Sequence, residues 1–239
     1  MATTSPVTLS TRPVTWSHDQ DVFRLDPSIY SGCESILAAG ADGGLSATTF
    51  TSPSADFTLA GIRSGDVIEV RSAGTAGWQR GTLLLRVVDV NSATSLSVGR
   101  IETTAGPGAP FAAEVNRPWQ IRTMDHWRRL AWREIAVHRL HLDDPLHPLT
   151  PGDVGDDGDN VWRAEDLAEC EALLALAKFH DSRWNGTSDH TAHAKAAAFL
   201  RQFESLFARI QVLLSQGTQE AGDGPIMRLT PGSSRLRRD

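Results

Sequence analysis

The sequence predicts an α+β fold: an antiparallel helical body of about three main helices, carrying an inserted small β-barrel or β-sandwich-like module, with extended N- and C-terminal arms. Three observations lead there. Between residues 45 and 101 the apolar residues recur with a period of two, and Gly65-Asp66, Gly74, Gly77 and Asn91-Ser92 punctuate the runs as turn residues do. From Thr123 onward the period becomes three and four, the spacing of one helix face. Both chain ends are rich in Thr, Ser, Pro or Gly and carry neither period.

Residues 1–20 read as an N-terminal arm, with Trp16 opening the ordered part. Residues 21–44 read as an extended segment up to Pro27, because the residue before a proline is pushed out of the helical region, followed by a short helix over Cys33 to Ala38. The glycine-rich Gly40-Ala41-Asp42-Gly43-Gly44 reads as a turn; no GK[ST] follows it, so it is no phosphate cradle. Residues 45–115 form the β-rich module. In it Val67 to Arg71 alternate, Leu83 to Val90 are more continuously apolar, as suits a strand covered on both sides, and Thr94 to Val98 alternate again.

Residues 116–217 form the helical body. Trp127, Leu130, Ala131, Ile135, His138 and Leu142 predict one inward face, ended by Pro145 and Pro148. A second helix over Trp162 to about His180 turns Leu167, Cys170, Leu174 and Ala177 inward. The third, capped by Asp189, carries Ala196, Phe199, Leu200, Phe203, Leu206, Phe207, Ile210, Leu213 and Leu214 inward and ends at Gly217. The last two helices are expected to pack antiparallel across their short loop. Residues 218–239 are the C-terminal arm.

Composition narrows the function. At 239 residues, 40% hydrophobic and 22% charged, the chain can bury one good core or two modest ones. A net charge of -6 argues against bulk nucleic-acid binding by the whole chain. Cys33 and Cys170 lack CxxC spacing and are expected as free thiols. No run approaches the roughly 18 apolar residues of a membrane helix, and the N-terminus lacks the pattern of a signal peptide, so assembly in a cytoplasm is expected.

The candidate chemistry is thin. Asp153, Asp156, Asp157 and Asp159 cluster the oxygen ligands that calcium prefers, but an EF-hand register starting at Asp153 fails at Gly155 and Ala164. His138 with His141, and His190 with His193, have a spacing that can bind zinc, yet neither pair belongs to an HExxH arrangement. No GxSxG elbow is present to seat a serine nucleophile, and nothing singles out Cys33. The expectation is therefore no catalytic residue, no metal and no cofactor: a protein that is not an enzyme. Trp and Arg are enriched at protein interfaces, so Trp127, Arg128, Arg129, Trp132 and Arg133, with the basic tail Arg235, Arg237 and Arg238, are the candidate contacts to a second subunit or a larger assembly. Trp78 is the one aromatic in the β-module suited to stacking on a sugar, which leaves a glycan- or peptide-binding module as an alternative.

Several stretches resemble parts of tailed-bacteriophage structural proteins. DVFRLDPSIYSG looks like their short acidic-aromatic opening, and TTFTSPSADFTLAGIRSGDVIEV followed by VVDVNSATSLSV is similar to a β-module of phage virion proteins. HAKAAAFLRQFESLFARIQVLL followed by QEAGDGP resembles the end of the head-tail connector (adaptor) family. That resemblance implies a virion protein of the neck, made in the host cytoplasm. It would form a ring of about 12 copies closed by head-to-tail contacts. Its partners would be itself, the portal protein and tail or neck proteins, with double-stranded DNA passing through unbound and no membrane involved. Another neck, tail or baseplate subunit is the alternative within the same class. Connectors of this family are mainly helical, so a sizeable β-module would be a decoration on that body.

Overall fold

A computed structural model describes residues 15–33, 35–72, 81–102, 110–139, 161–162, 164–186, 190–209, 212–215 and 226–229. They fall into two compact units, Pro27–Thr123 on one hand and 15–26 with 124–229 on the other.

The first unit is a closed barrel of six antiparallel strands: β1 (Ile36–Ala47), β2 (Thr49–Thr51), β3 (Val67–Ser72), β4 (Gly81–Ser92), β5 (Ser95–Arg100) and β6 (Phe111–Arg122). The order around the barrel is β1-β2-β5-β4-β3-β6, with β6 closing back onto β1, so no strand edge is left open. Leu45, Phe50, Phe57, Ile68, Val70, Leu85, Val87, Leu96, Val98, Trp119 and Ile121 fill it. Phe50 and Phe57 meet the Trp119 indole edge-on, with ring centroids 5.6 and 5.5 Å away.

Long β1 reaches around the barrel because of its glycines. Gly40 pairs with Trp119 and Gly43 with Arg117, so the ladder slips by one residue between them. A Cβ on Gly40 would lie 2.7 Å from the indole Nε1, and one on Gly43 would lie 2.7 Å from its Cδ1. The two glycines are the slot in which the indole sits. Pro118 falls inside the same slip and beyond the end of the β3–β6 ladder at Val70↔Trp119, where its missing N–H removes no sheet hydrogen bond. Asp42, also in the slip, accepts the Ser52 O–H (2.6 Å) and the Ser54 N–H (2.8 Å), tying β1 to the exit of β2. These bonds hold its carboxyl well below the usual carboxylate range. A 3-10 turn, Pro27–Gly32, lays Tyr30 on the β3–β6 seam. The phenol O–H lies between the Gln120 carbonyl (2.8 Å) and the Val67 carbonyl (3.1 Å) and accepts the Arg122 N–H (3.1 Å).

The second unit holds α1 (Asp19–Leu25), α2 (Asp125–Arg133) continuing into a π-helical turn (Glu134–Arg139), α3 (Ala164–Gly186) and α4 (His190–Phe207). A three-stranded antiparallel sheet is built from β7 (Val161–Trp162), β8 (Val212–Ser215) and β9 (Ile226–Leu229). α3 is central: every residue from Cys170 to Ala177 is buried, as expected of a helix covered on all sides. Trp184 contacts His193 and His180 contacts Phe199, a pairing that runs down α3 and up α4, so the two are antiparallel. Trp16, Ala131, Ile135, Leu167, Cys170, Leu174, Phe203 and Phe207 make the shared core.

The expected architecture, an α+β helical body of three main helices with an inserted module, is not the one observed. The strands close into a six-membered barrel that is a compact unit in its own right, running from Ile36 to Arg122, and the helical unit carries a sheet of its own. Four local readings change with it. The segment before Pro27 is α1, because the Asp21 carboxylate reaches back to the His18 N–H (2.8 Å) at its start, and only Asp26 obeys the pre-proline restriction (φ -142°, ψ 85°). Ile36 to Ala38 is strand and not helix, and the GADGG turn is the bulged middle of β1. The third helix stops at Phe207, and Leu213 and Leu214 belong to β8. Their strand partner is β9, in the segment read as the extended C-terminal arm.

Candidate functional site

The sequence placed its interface candidates on α2, and α2 divides them. Its buried side carries Met124, Arg128, Ala131 and Ile135 of the continuing turn, a spacing of four, three and four. Trp127 and Trp132 are half-buried against the core; Trp132 meets Trp16 at 6.0 Å and Trp127 meets Phe179 edge-on at 5.9 Å. The outward side carries His126, Arg129, Leu130 and Arg133, again one continuous face, with Leu130 39% exposed between two exposed arginines. The sequence had turned Leu130 inward. An inward arginine at 128 takes the place of an apolar residue, which rotates the apolar stripe by one position. His138, also expected on the inward face, is exposed.

Arg128 is 1% exposed and is spent inside the unit. Its Nε meets Asp19 Oδ1 at 3.0 Å, and its other nitrogens donate to Asp125, to the Ser17 carbonyl and to Thr15 Oγ1 (2.7 Å). Asp19 also accepts the Met124 N–H at 2.9 Å. Glu171, on α3, accepts the Trp16 N–H (2.8 Å) and the Ser17 O–H (2.5 Å). Burial pushes its carboxyl up to about 7, against the pull of Arg128 and these donors. No single-residue signal marks this network. The three-residue spacing of Asp125 and Arg128 is its only local trace, and Asp19 and Glu171 come from distant segments.

A second polar cluster joins the buried Asp26 and His180 of α3 to the half-exposed Lys195 of α4. His180 Nε2 lies 3.1 Å from Asp26 Oδ2, and Lys195 Nζ donates to the same oxygen at 2.8 Å. Burial lowers the His180 pKa, with Asp26 pulling the other way, and the ring stacks on Phe199 at 5.8 Å. In the barrel, a surface cavity of about 190 Å3 is lined by Glu69, Arg71, Pro118, Trp119 and Gln120, and the Gln120 amide donates to the Glu69 carboxylate at its floor.

The other candidates are placed as follows. Cys33 and Cys170 are buried thiols, and Cys33 Sγ donates to the Thr123 carbonyl at 2.9 Å. His190 and His193 are exposed, and His193 packs on Trp184 at 4.4 Å. Among the described residues no group of three or more His, Cys, Asp or Glu is arranged to hold a metal ion, and no described helix is long and apolar enough to cross a membrane. Asp153, Asp156, Asp157, Asp159, His141, Trp78, Arg235, Arg237 and Arg238 lie outside the described residues. Compared with known proteins, the chain matches no family model, no curated protein and no solved structure.

Proposed function

We propose that the chain is a structural subunit of a tailed-phage neck, a head-tail connector that forms a ring between portal and tail around the path of the DNA. It works by contact and carries out no reaction. One observation carries the reading: several of the residues that give the sequence its likeness to phage virion modules fill the barrel. In TTFTSPSADFTLAGIRSGDVIEV, Phe50 and Phe57 are core aromatics, Gly65 takes the positive φ of 86° that its turn needs, and Asp66 fixes that turn by accepting the Arg63 N–H at 2.9 Å. In SATSLSV, Leu96 and Val98 are fully buried. The likeness therefore includes framework positions of the barrel, alongside exposed ones such as Leu59, Asn91 and Thr94.

Two further features favour it. The outward face of α2 combines an exposed Leu130 with Arg129 and Arg133, the mixture that serves as a contact patch. The net charge of -6 lets a duplex slide past without the phosphate contacts that a basic lumen would make. The test is an Arg129→Glu, Arg133→Glu double variant examined by electron microscopy, alone and with portal protein. The expected result is loss of rings with the circular dichroism of the wild type retained. Rings of normal size and number from the double variant would remove this face from the interface.

A further inference from the structure

A buried carboxylate stands on the outer side of the barrel. Ile68, Val70, Trp119 and Ile121 belong to the core, so Glu69 and Gln120, partners across the β3–β6 ladder, stand on the opposite face of their strands. The ladder ends one pair later, at Val70↔Trp119, where Pro118 has no N–H to offer and β6 continues against β1. Where β3 and β6 part lies the cavity of about 190 Å3, which Glu69 and Arg71 line from β3 and Pro118, Trp119 and Gln120 from β6.

Glu69 is 7% exposed, and a carboxylate so placed needs its lone pairs met. Its Oε2 accepts the Gln120 amide. Its Oε1 lies 3.8 Å from Arg71 Nε, too far for a hydrogen bond, and accepts none from the described residues. The Gln120 amide is fixed in orientation, with Nε2 on Glu69 and Oε1 facing Arg122 Nη2 at 3.4 Å; its second N–H is unused among the described residues. The Arg71 side chain is 66% exposed, and its two Nη atoms are likewise unused among the described residues. The cavity therefore offers an acceptor at its floor and donors beside it, all on paired strands of the barrel.

Charge narrows what fits. Around the space stand one carboxylate, Glu69, and two guanidinium groups, Arg71 and Arg122. A cation would meet both arginines, and an anion would meet Glu69. A neutral ligand with a donor beside an acceptor satisfies both signs, and neighbouring hydroxyls on a ring have that pattern: one donates to Glu69 Oε1 while the next accepts from Arg71 or Gln120. A nucleobase would need an exposed aromatic face, whereas Trp119 is 4% exposed and its ring fills the barrel. At roughly 30 Å3 per water the space equals about six waters, the bulk of one sugar ring. We propose that this cavity binds a single sugar ring, with Glu69 as acceptor, Arg71 and Gln120 as donors and the Pro118 ring as an apolar wall. The site lies on one chain and is independent of the connector reading.

Titration of the full chain with glucose, galactose, mannose and N-acetylglucosamine, each as free sugar and as methyl glycoside, tests this by NMR at the Gln120 side-chain amide and the Arg71 Nε–H. A ligand this small is expected to bind with a dissociation constant on the order of 1 mM, so saturable shifts of both groups should appear with at least one sugar below about 50 mM. Binding of the methyl glycoside as well as the free sugar assigns the site to the end of a glycan chain; loss on methylation assigns it to free sugars. Glu69→Gln removes a charged acceptor and should weaken binding about ten-fold or more, with the amide shifts of Ile68 and Ile121 reporting an intact barrel. Arg71→Ala, at an exposed side chain, should weaken it about five-fold. No saturable shift with any of these sugars leaves the cavity to water and overturns the proposal. Shifts from methylguanidinium or acetate but from no sugar overturn it too, as does wild-type affinity in Glu69→Gln. Should Glu69→Gln fail to fold, unchanged affinity in Arg71→Ala overturns it equally.

Discussion

Replacing Arg128 with Met separates a structural arginine from a surface one. The guanidinium is 1% exposed and its partner Asp19 0%, with Nε and Oδ1 3.0 Å apart. Methionine keeps much of the packing volume but leaves the buried Asp19 carboxylate without the guanidinium, removes the cation that steadies Glu171, and takes one donor each from Thr15 Oγ1 and the Ser17 carbonyl. Removing one partner of a buried ion pair costs about 3–5 kcal/mol, because the other charge stays out of water. Since the chain has two compact units, stability is best read unit by unit, by native-state hydrogen exchange across a urea series. The expected result is destabilisation of α2, α3 and α4 by that amount with the barrel amides unchanged. Arg128→Met with Asp19→Asn should recover about 1–3 kcal/mol of the loss, since the charge left behind is then gone. A single variant within about 1 kcal/mol of wild type, combined with failed assembly, would refute this reasoning and return Arg128 to the surface.

Two predictions concern the barrel. Gly43→Ala would place a methyl 2.7 Å from Trp119 Cδ1, 2.9 Å from Phe50 Cε2 and 2.9 Å from the Arg117 carbonyl; thermal unfolding should show a loss of about 1–3 kcal/mol. Gly44→Ala meets first a Thr51 hydroxyl at 3.1 Å and should cost less, so equal effects would argue against the indole slot. Tyr30 is the one tyrosine of the chain, which makes alkaline absorbance at 295 nm a reporter of a single group. Burial raises its pKa far above the ordinary 10.0, so closure of the barrel is fully supported below pH 10 and loses support as pH rises beyond it. Phenolate absorbance should therefore appear together with loss of the β-sheet signal; ionisation near pH 10 with the sheet intact would contradict the seam described here.

The strands of the barrel's centre were legible in the sequence because their patterns are local: Val67 to Ser72 and Ser95 to Arg100 announce themselves by alternation, Gly81 to Ser92 by its apolar run, and all three by the turns between them. The closing strands were not. β1 is glycine-rich because the indole of Trp119, far along the chain, needs room, and a pattern whose cause is that distant reads locally as a turn. α1 was hidden by a proline that restricts only the residue before it. β8 and β9 are short apolar runs whose strand character comes from each other, across residues 216–225. For the candidate site, periodicity found the α2 helix but set its inward face wrongly, since Arg128 is buried by partners on two other segments while Leu130 is left outside. A charge buried by distant partners leaves no apolar signal to read.

The proposal that this chain builds a ring is tested most directly by mass. Native mass spectrometry of the purified full-length chain, alone and mixed with portal protein, should show a closed oligomer, or a defined number of copies added to the portal ring, and no open series of intermediate sizes. A chain that stays monomeric in both samples at micromolar concentration would contradict the connector reading.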